Sequence, residues 1–189
     1  MADRIEIRLA GSGGQGLILA GVILAEAAGI HEGKFVAQTQ SYGPEARGGA
    51  SKSEVVISDA EIDYPKAIKP DVLLCMSQAA CDTYIFDLKP GGLFLVDSTL
   101  VHDLPTTRAV ALPFTQIARE LGQEVMANVV ALGALAALTG IVSLESLETA
   151  LLARVPQGSE DLNKKALAAG VTAARTYMQD QAHKPPQEL

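Results

Sequence analysis

The sequence predicts an α/β fold with a mostly parallel sheet flanked by helices. Three observations carry this. A short strand-like segment, Arg4 to Ala10, runs directly into a glycine-rich turn and an apolar helix. After Pro70, short continuous apolar runs alternate with helical stretches, the pattern of strands buried on both faces. The C-terminal third is periodic in the helical sense.

Each element follows from local signals. In Arg4 to Ala10, Ile5, Ile7 and Leu9 alternate with charge. A helix from about Gln15 to Ala28 is stopped by Gly29. Lys34 to Gln40 and Glu54 to Ser58 read as strands, with loop chemistry over Ser41 to Ser51. Together they form a β-hairpin insertion with a long tip. Asp71 to Met76 is an apolar strand, Ser77 to Lys89 a helix ended by Pro90-Gly91-Gly92, and Leu93 to Val96 and Ala109 to Leu112 further strands. Helices are expected over Thr115 to Leu121, Met126 to Leu138, Leu144 to Ala153 and Glu160 to Gln179. Ser143 is placed to cap the third of these. The whole reads as Rossmann-like, with one domain over residues 1–179 and a disordered tail over 180–189.

Composition removes several function classes. Twenty-two acidic residues against 15 basic ones leave a net charge of −7, which gives no electrostatic reason to bind nucleic acid or an anionic membrane. Two cysteines, Cys75 and Cys81, are too few for an iron–sulfur cluster or a structural zinc site with cysteine ligands, and their spacing is not that of a redox pair. They fit a reducing, cytoplasmic compartment. No signal peptide is expected, because no long apolar run precedes the charges of Met1 to Glu6. Val125 to Val142 is nearly uncharged. It contains Asn128, Thr139 and two glycines and lacks flanking Lys or Arg, so a buried helix is expected there.

Two motifs concentrate the chemistry. Gly11, Gly13 and Gly16 satisfy G-x-G-x-x-G between a strand and a helix, the context in which backbone N–H groups hold a phosphate. The second strand ends Ala37-Gln38-Thr39-Gln40, without the acid that a dinucleotide ribose requires. Phosphate or carboxylate binding and plain strand–helix packing both account for these glycines. The second motif, Ser41-Tyr42-Gly43-Pro44-Glu45-Ala46-Arg47-Gly48-Gly49, puts an aromatic, a carboxylate and a guanidinium on one loop. Arg47 either forks onto an anion or pairs with Glu45 at the surface. Asn128, in an apolar helix, needs a partner: a loop carbonyl or a ligand. Asp97-Ser98 at a strand end either faces the ligand crevice or caps the next segment. Asn163 reads as a local brace. His31, His102 and His183 are scattered and form no ligand pair. The candidate binding set is therefore Gly11, Gly13, Gly14, Gln15, Gly16, Ser41, Tyr42, Gly43, Glu45, Arg47, Gly48, Gly49 and Asn128, with no catalytic residue and no metal ligand.

In order and spacing together, Gly11–Gly16 and Ser41–Gly49 resemble the gamma subunit of the 2-oxoacid:ferredoxin oxidoreductases. That group includes the pyruvate, 2-oxoisovalerate and 2-oxoglutarate enzymes; the small chain of indolepyruvate oxidoreductase is related. The resemblance continues through Lys52–Ser58, Asn128–Gly133 and Asn163–Gly170 and covers about residues 4–175. It implies a subunit of an enzyme that converts a 2-oxo acid and coenzyme A to acyl-coenzyme A, carbon dioxide and reduced ferredoxin. Thiamine diphosphate, its magnesium and the iron–sulfur clusters would sit on alpha and beta partners and a ferredoxin-like delta chain. This sequence has no Gly-Asp-Gly stretch with a downstream asparagine for that magnesium. The gamma chain would shape the active-site and coenzyme A region, be inactive alone, and form a homodimer when isolated. The resemblance leans to 2-oxoglutarate. Two rival readings stand beside it: a freestanding nucleotide-binding oxidoreductase, and a regulatory module for a phosphorylated metabolite.

Overall fold

A computed structural model describes residues 4–42, 50–106 and 108–183. Six strands form one sheet in the order β2-β3-β1-β4-β5-β6. They are β1 (Arg4–Ser12), β2 (Phe35–Tyr42), β3 (Ala50–Ser58), β4 (Val72–Cys75), β5 (Leu93–Asp97) and β6 (Val110–Leu112). β1, β4, β5 and β6 pair in parallel. β3 runs antiparallel to both β1 and β2, so β2 points the same way as β1. The hairpin insertion therefore extends the sheet beyond β1.

The helices are α1 (Leu17–Glu26), α2 (Gln78–Tyr84), α3 (Phe114–Glu120), α4 (Ala127–Thr139), α5 (Leu144–Leu152) and α6 (Glu160–Ala182). Alternation along the strands splits the core in two. Ile7, Leu9, Val72, Leu74 and Leu95 face α1 and α3 to α6. Leu73, Cys75, Phe94 and Val96 face Ala80 and Cys81 of α2 on the other side. α4, expected as a buried helix, has ten consecutive buried residues from Ala127 to Ala136 and crosses α6 closely. A Cβ at Gly170 would lie 1.9 Å from the Val130 carbonyl oxygen, so only glycine permits that approach. No helix among the described residues is long and apolar enough to cross a membrane.

The boundaries differ from expectation in instructive places. Gly11, Ser12, Ser41 and Tyr42, expected as loop residues, lie in strands, because the hairpin ladder continues to the pairs Ser12–Ala50 and Tyr42–Ser51. The first helix starts at Leu17 rather than Gln15, and after Glu26 it widens into a π-helical turn over Ala27–His31 instead of stopping at Gly29. The expected helix over Ser77 to Lys89 breaks after Tyr84 into a 3-10 turn at Ile85–Asp87, which hands the Asp87 carboxylate to Arg8. α6 continues past Gln179 to Ala182, so the expected tail begins inside a helix; residues 184–189 lie outside the described residues.

Candidate functional site

The site is built at the carboxyl edge of the sheet. Gly11 in β1 stands opposite Ser51 in β3, and Ser51 stands opposite Tyr42 in β2. This row sets the base of the hairpin tip beside the glycine turn. The Ser51 hydroxyl donates to the Gly11 carbonyl at 3.4 Å. Gly43, Glu45, Arg47, Gly48 and Gly49 fall outside the described residues.

β1 and β4 are neighbours, yet β1 leads to α1 on one face and β4 leads to α2 on the other. Such a divergence opens a crevice where α/β sheets bind ligands. Gln15 spans it. Its side-chain oxygen accepts from the Ser12 N–H at 2.7 Å, and its amide donates to the Met76 carbonyl at 2.8 Å. Both ends of Gln15 are thereby engaged in holding the turn.

The glycines divide by role. A Cβ at Gly11 would lie 2.3 Å from the Gln15 side-chain oxygen, so Gly11 admits the bridge. Gly16, at φ 72°, caps α1 in the left-handed region, and a Cβ there would sit 2.5 Å from the Asn128 amide nitrogen. Gly14 also has positive φ, at 92°. Gly13 has neither constraint: its φ is not positive, and a Cβ would meet nothing within 4 Å. Asn128, 5% exposed, donates to the Gly16 carbonyl at 3.1 Å and accepts from the Val129 N–H at 2.9 Å. Its amide thus braces the turn from behind.

α1 begins with no side-chain cap and no acidic residue in its first turn. It starts just after the carboxyl end of β1, and an uncapped helix start of this kind favours an anion. Beside Gly14 and Gln15 lies a cavity of about 190 Å3, walled by Leu100, Thr115, Glu124, Val125 and Ala127. Asp97, fully buried at the end of β5, caps rather than faces this space. It accepts from the Thr99 N–H at 3.0 Å, the Thr115 N–H at 3.2 Å and the Thr115 hydroxyl. Asn163 braces locally, donating to the Ser159 carbonyl at 3.0 Å.

The donor set does not suit a cluster or a thiamine-type magnesium site. Among the described residues no three His, Cys, Asp or Glu side chains gather as metal ligands. Cys75 and Cys81 are fully buried, and burial pushes both thiols up from their ordinary range; each lies near Asp82, which acts in the same direction.

Residues 6–173 match the family model for pyruvate ferredoxin/flavodoxin oxidoreductase. The chain belongs to that family, as a gamma subunit of a 2-oxoacid:ferredoxin oxidoreductase. The gamma subunit is 55% identical over 177 residues to the 2-oxoglutarate synthase subunit KorC of Methanocaldococcus jannaschii, covering 91% of this chain and 95% of that one. Its fold matches the gamma subunit of a keto/oxoacid ferredoxin oxidoreductase from Geobacter sulfurreducens at TM-score 0.84 and 51% identity, over 92% and 98% of the two chains. It also matches, at TM-score 0.81 and 26% identity, part of the 2-oxoglutarate:ferredoxin oxidoreductase of Magnetococcus marinus, solved with 2-oxoglutarate, coenzyme A and succinyl-CoA bound. That match covers 92% of this gamma subunit and 31% of the longer chain.

Sequence reading missed one further group. Arg8 and Glu54 form a buried ion pair, joined by the half-buried Lys52, on the α2 face of the sheet, although alternating charge along a strand ordinarily marks a solvated face. The available signal was the recurrence of opposite charges on two strands of one hairpin-extended sheet.

Proposed function

We propose that this gamma subunit serves a cytoplasmic complex that oxidises 2-oxoglutarate and coenzyme A to succinyl-coenzyme A and carbon dioxide. The two electrons released pass to ferredoxin. The names of the similar proteins support 2-oxoglutarate as the substrate. Thiamine diphosphate with magnesium, and the iron–sulfur clusters, belong to the alpha and beta partners and a ferredoxin-like delta chain; they supply the decarboxylation and electron-transfer chemistry.

This chain's own share is positional. The observation that carries it is the row Gly11–Ser51–Tyr42, which sets the uncapped start of α1 and the base of the 43–49 segment at one sheet edge. There the α1 N–H groups hold a phosphate of coenzyme A, and Gly13 leaves room for it. Arg47 supplies countercharge, and Glu45, Ser41 and the glycines 43, 48 and 49 shape the loop around it. Tyr42 and Val125, 68% and 67% exposed, offer apolar surface to partner chains at the same edge. In isolation the chain covers that surface by forming a homodimer.

Co-expression with the alpha and beta chains tests this reading. Native mass spectrometry should find a hetero-oligomer, and turnover should be fastest with 2-oxoglutarate among 2-oxoglutarate, pyruvate and 2-oxoisovalerate. Turnover by the purified gamma chain alone, or a preference for pyruvate, contradicts it.

A further inference from the structure

We propose that the hairpin carries a second ligand site, for a small phosphate monoester, on the face of the sheet opposite α1. It goes beyond the coenzyme reading and shares only Ser41 with it; the lysines that carry it play no part in that reading. Along β3, Ser51 and Ser53 alternate with Lys52 and Glu54. Ser53 faces α1, since a Cβ on Gly21 of that helix would lie 2.0 Å from its hydroxyl oxygen. Lys52 and Glu54 therefore face away. There, with Thr39, Gln40, Ser41 and Lys66, they enclose a cavity of about 240 Å3.

The cavity has a fixed electrostatic floor. Glu54 is 4% exposed, and one of its oxygens accepts from Arg8 Nε at 2.8 Å and from Lys52 Nζ at 2.9 Å. Its other oxygen accepts from the Thr39 hydroxyl at 3.4 Å. Arg8, itself buried, also donates to Asp87 and to the Ala67 carbonyl. The Lys52 ammonium is thus held in place between Glu54 and the ring of Tyr84, 5.4 Å from its centroid. Lys66 enters no ion pair among the described residues. Three cations, Arg8, Lys52 and Lys66, stand against two carboxylates, Glu54 and Asp87, and the exposed Lys66 on the cavity lining carries the charge in excess.

The donors select the ligand class. Two point-charge ammoniums, Lys52 and Lys66, and the hydroxyl of Ser41 suit the tetrahedrally arranged oxygens of a phosphate. The planar guanidinium that would match a carboxylate is instead consumed inside, on Glu54, Asp87 and the Ala67 carbonyl. A short phosphorylated body fits the volume.

Titration of the 15N-labelled full chain with inorganic phosphate at constant ionic strength tests this. The expected result is saturable movement of the Thr39, Ser41, Lys52 and Lys66 amides in the millimolar range, weakened at least about tenfold in Lys66→Met and in Lys52→Met, with acetate binding more weakly than phosphate. Lys66 is exposed, so Lys66→Met keeps the fold and the test holds even if Lys52→Met does not. Absence of saturation, unchanged binding in Lys66→Met, or acetate binding as well as phosphate overturns the proposal. So does movement confined to Gly13–Ile18, which would place the anion at the start of α1 instead.

Discussion

Asn128 in α4 donates its side-chain amide to the carbonyl oxygen of Gly16 at 3.1 Å, and a Cβ on Gly16 would lie 2.5 Å from that same amide nitrogen. The two residues are therefore coupled both sterically and by a hydrogen bond. Gly16→Ala should lower stability by about 2 kcal/mol, from its left-handed φ and the collision together. Asn128→Ala should lower it by about 1–3 kcal/mol by leaving the carbonyl unpaired. The double variant should lose clearly less than the sum, since removing Asn128 relieves the collision. Urea unfolding of the four proteins measures the coupling; simple additivity refutes it.

Arg8 and Glu54 make the same kind of unit in ionic form, buried to 3% and 4% exposure. Arg8→Met leaves Glu54 with Lys52 as its one cationic partner among the described residues and should destabilise by about 3–5 kcal/mol. Adding Glu54→Leu to that variant should recover part of the loss, because the stranded carboxylate is gone. Thermal unfolding of both variants decides this, and a double variant less stable than Arg8→Met would speak against it.

Cys75 gives a pH dependence with a definite sign. Burial, reinforced by Cys81, raises its folded pKa above the ordinary 9.0. The stability linked to its neutral thiol is complete below that value and declines as pH rises beyond it, by up to about 1.4 kcal/mol per pH unit. Between pH 9 and 10 the parent should lose stability more steeply than Cys75→Ala, as read from chemical denaturation at each pH; equal slopes would exclude the linkage. Iodoacetamide at neutral pH should label neither cysteine in the folded chain, since both are fully buried.

The element order was readable because its signals are local: Ile5, Ile7 and Leu9 alternate, Val72 to Cys75 run apolar, Ser143 caps α5. The Ser143 side chain accepts from the Ser146 N–H at 3.1 Å. The place of β3 between β1 and β2 depends on long-range pairing that no local signal carries. At the site, Gly11, Gly13 and Gly16 could be picked out by spacing, but the constraint on Gly11 comes from Gln15 folding back onto β1 and that on Gly16 from Asn128 arriving more than a hundred residues later. The burial of Arg8 and Glu54 could not be read from the sequence, because periodicity distinguishes the two faces of a strand without saying what covers each. Here α2 and the segment after β3 cover the second face.

Gly13 isolates the proposed contact between the turn after β1 and a phosphate of coenzyme A, because a Cβ there meets nothing within 4 Å in this chain and its φ is not positive. The decisive measurement is acyl-coenzyme A formation by the assembled complex carrying Gly13→Val, as a function of coenzyme A concentration. The account predicts unchanged unfolding of the isolated chain and a loss of at least about tenfold in kcat/KM for coenzyme A. A Gly13→Val complex that assembles and turns over with the parent's kcat/KM would contradict it.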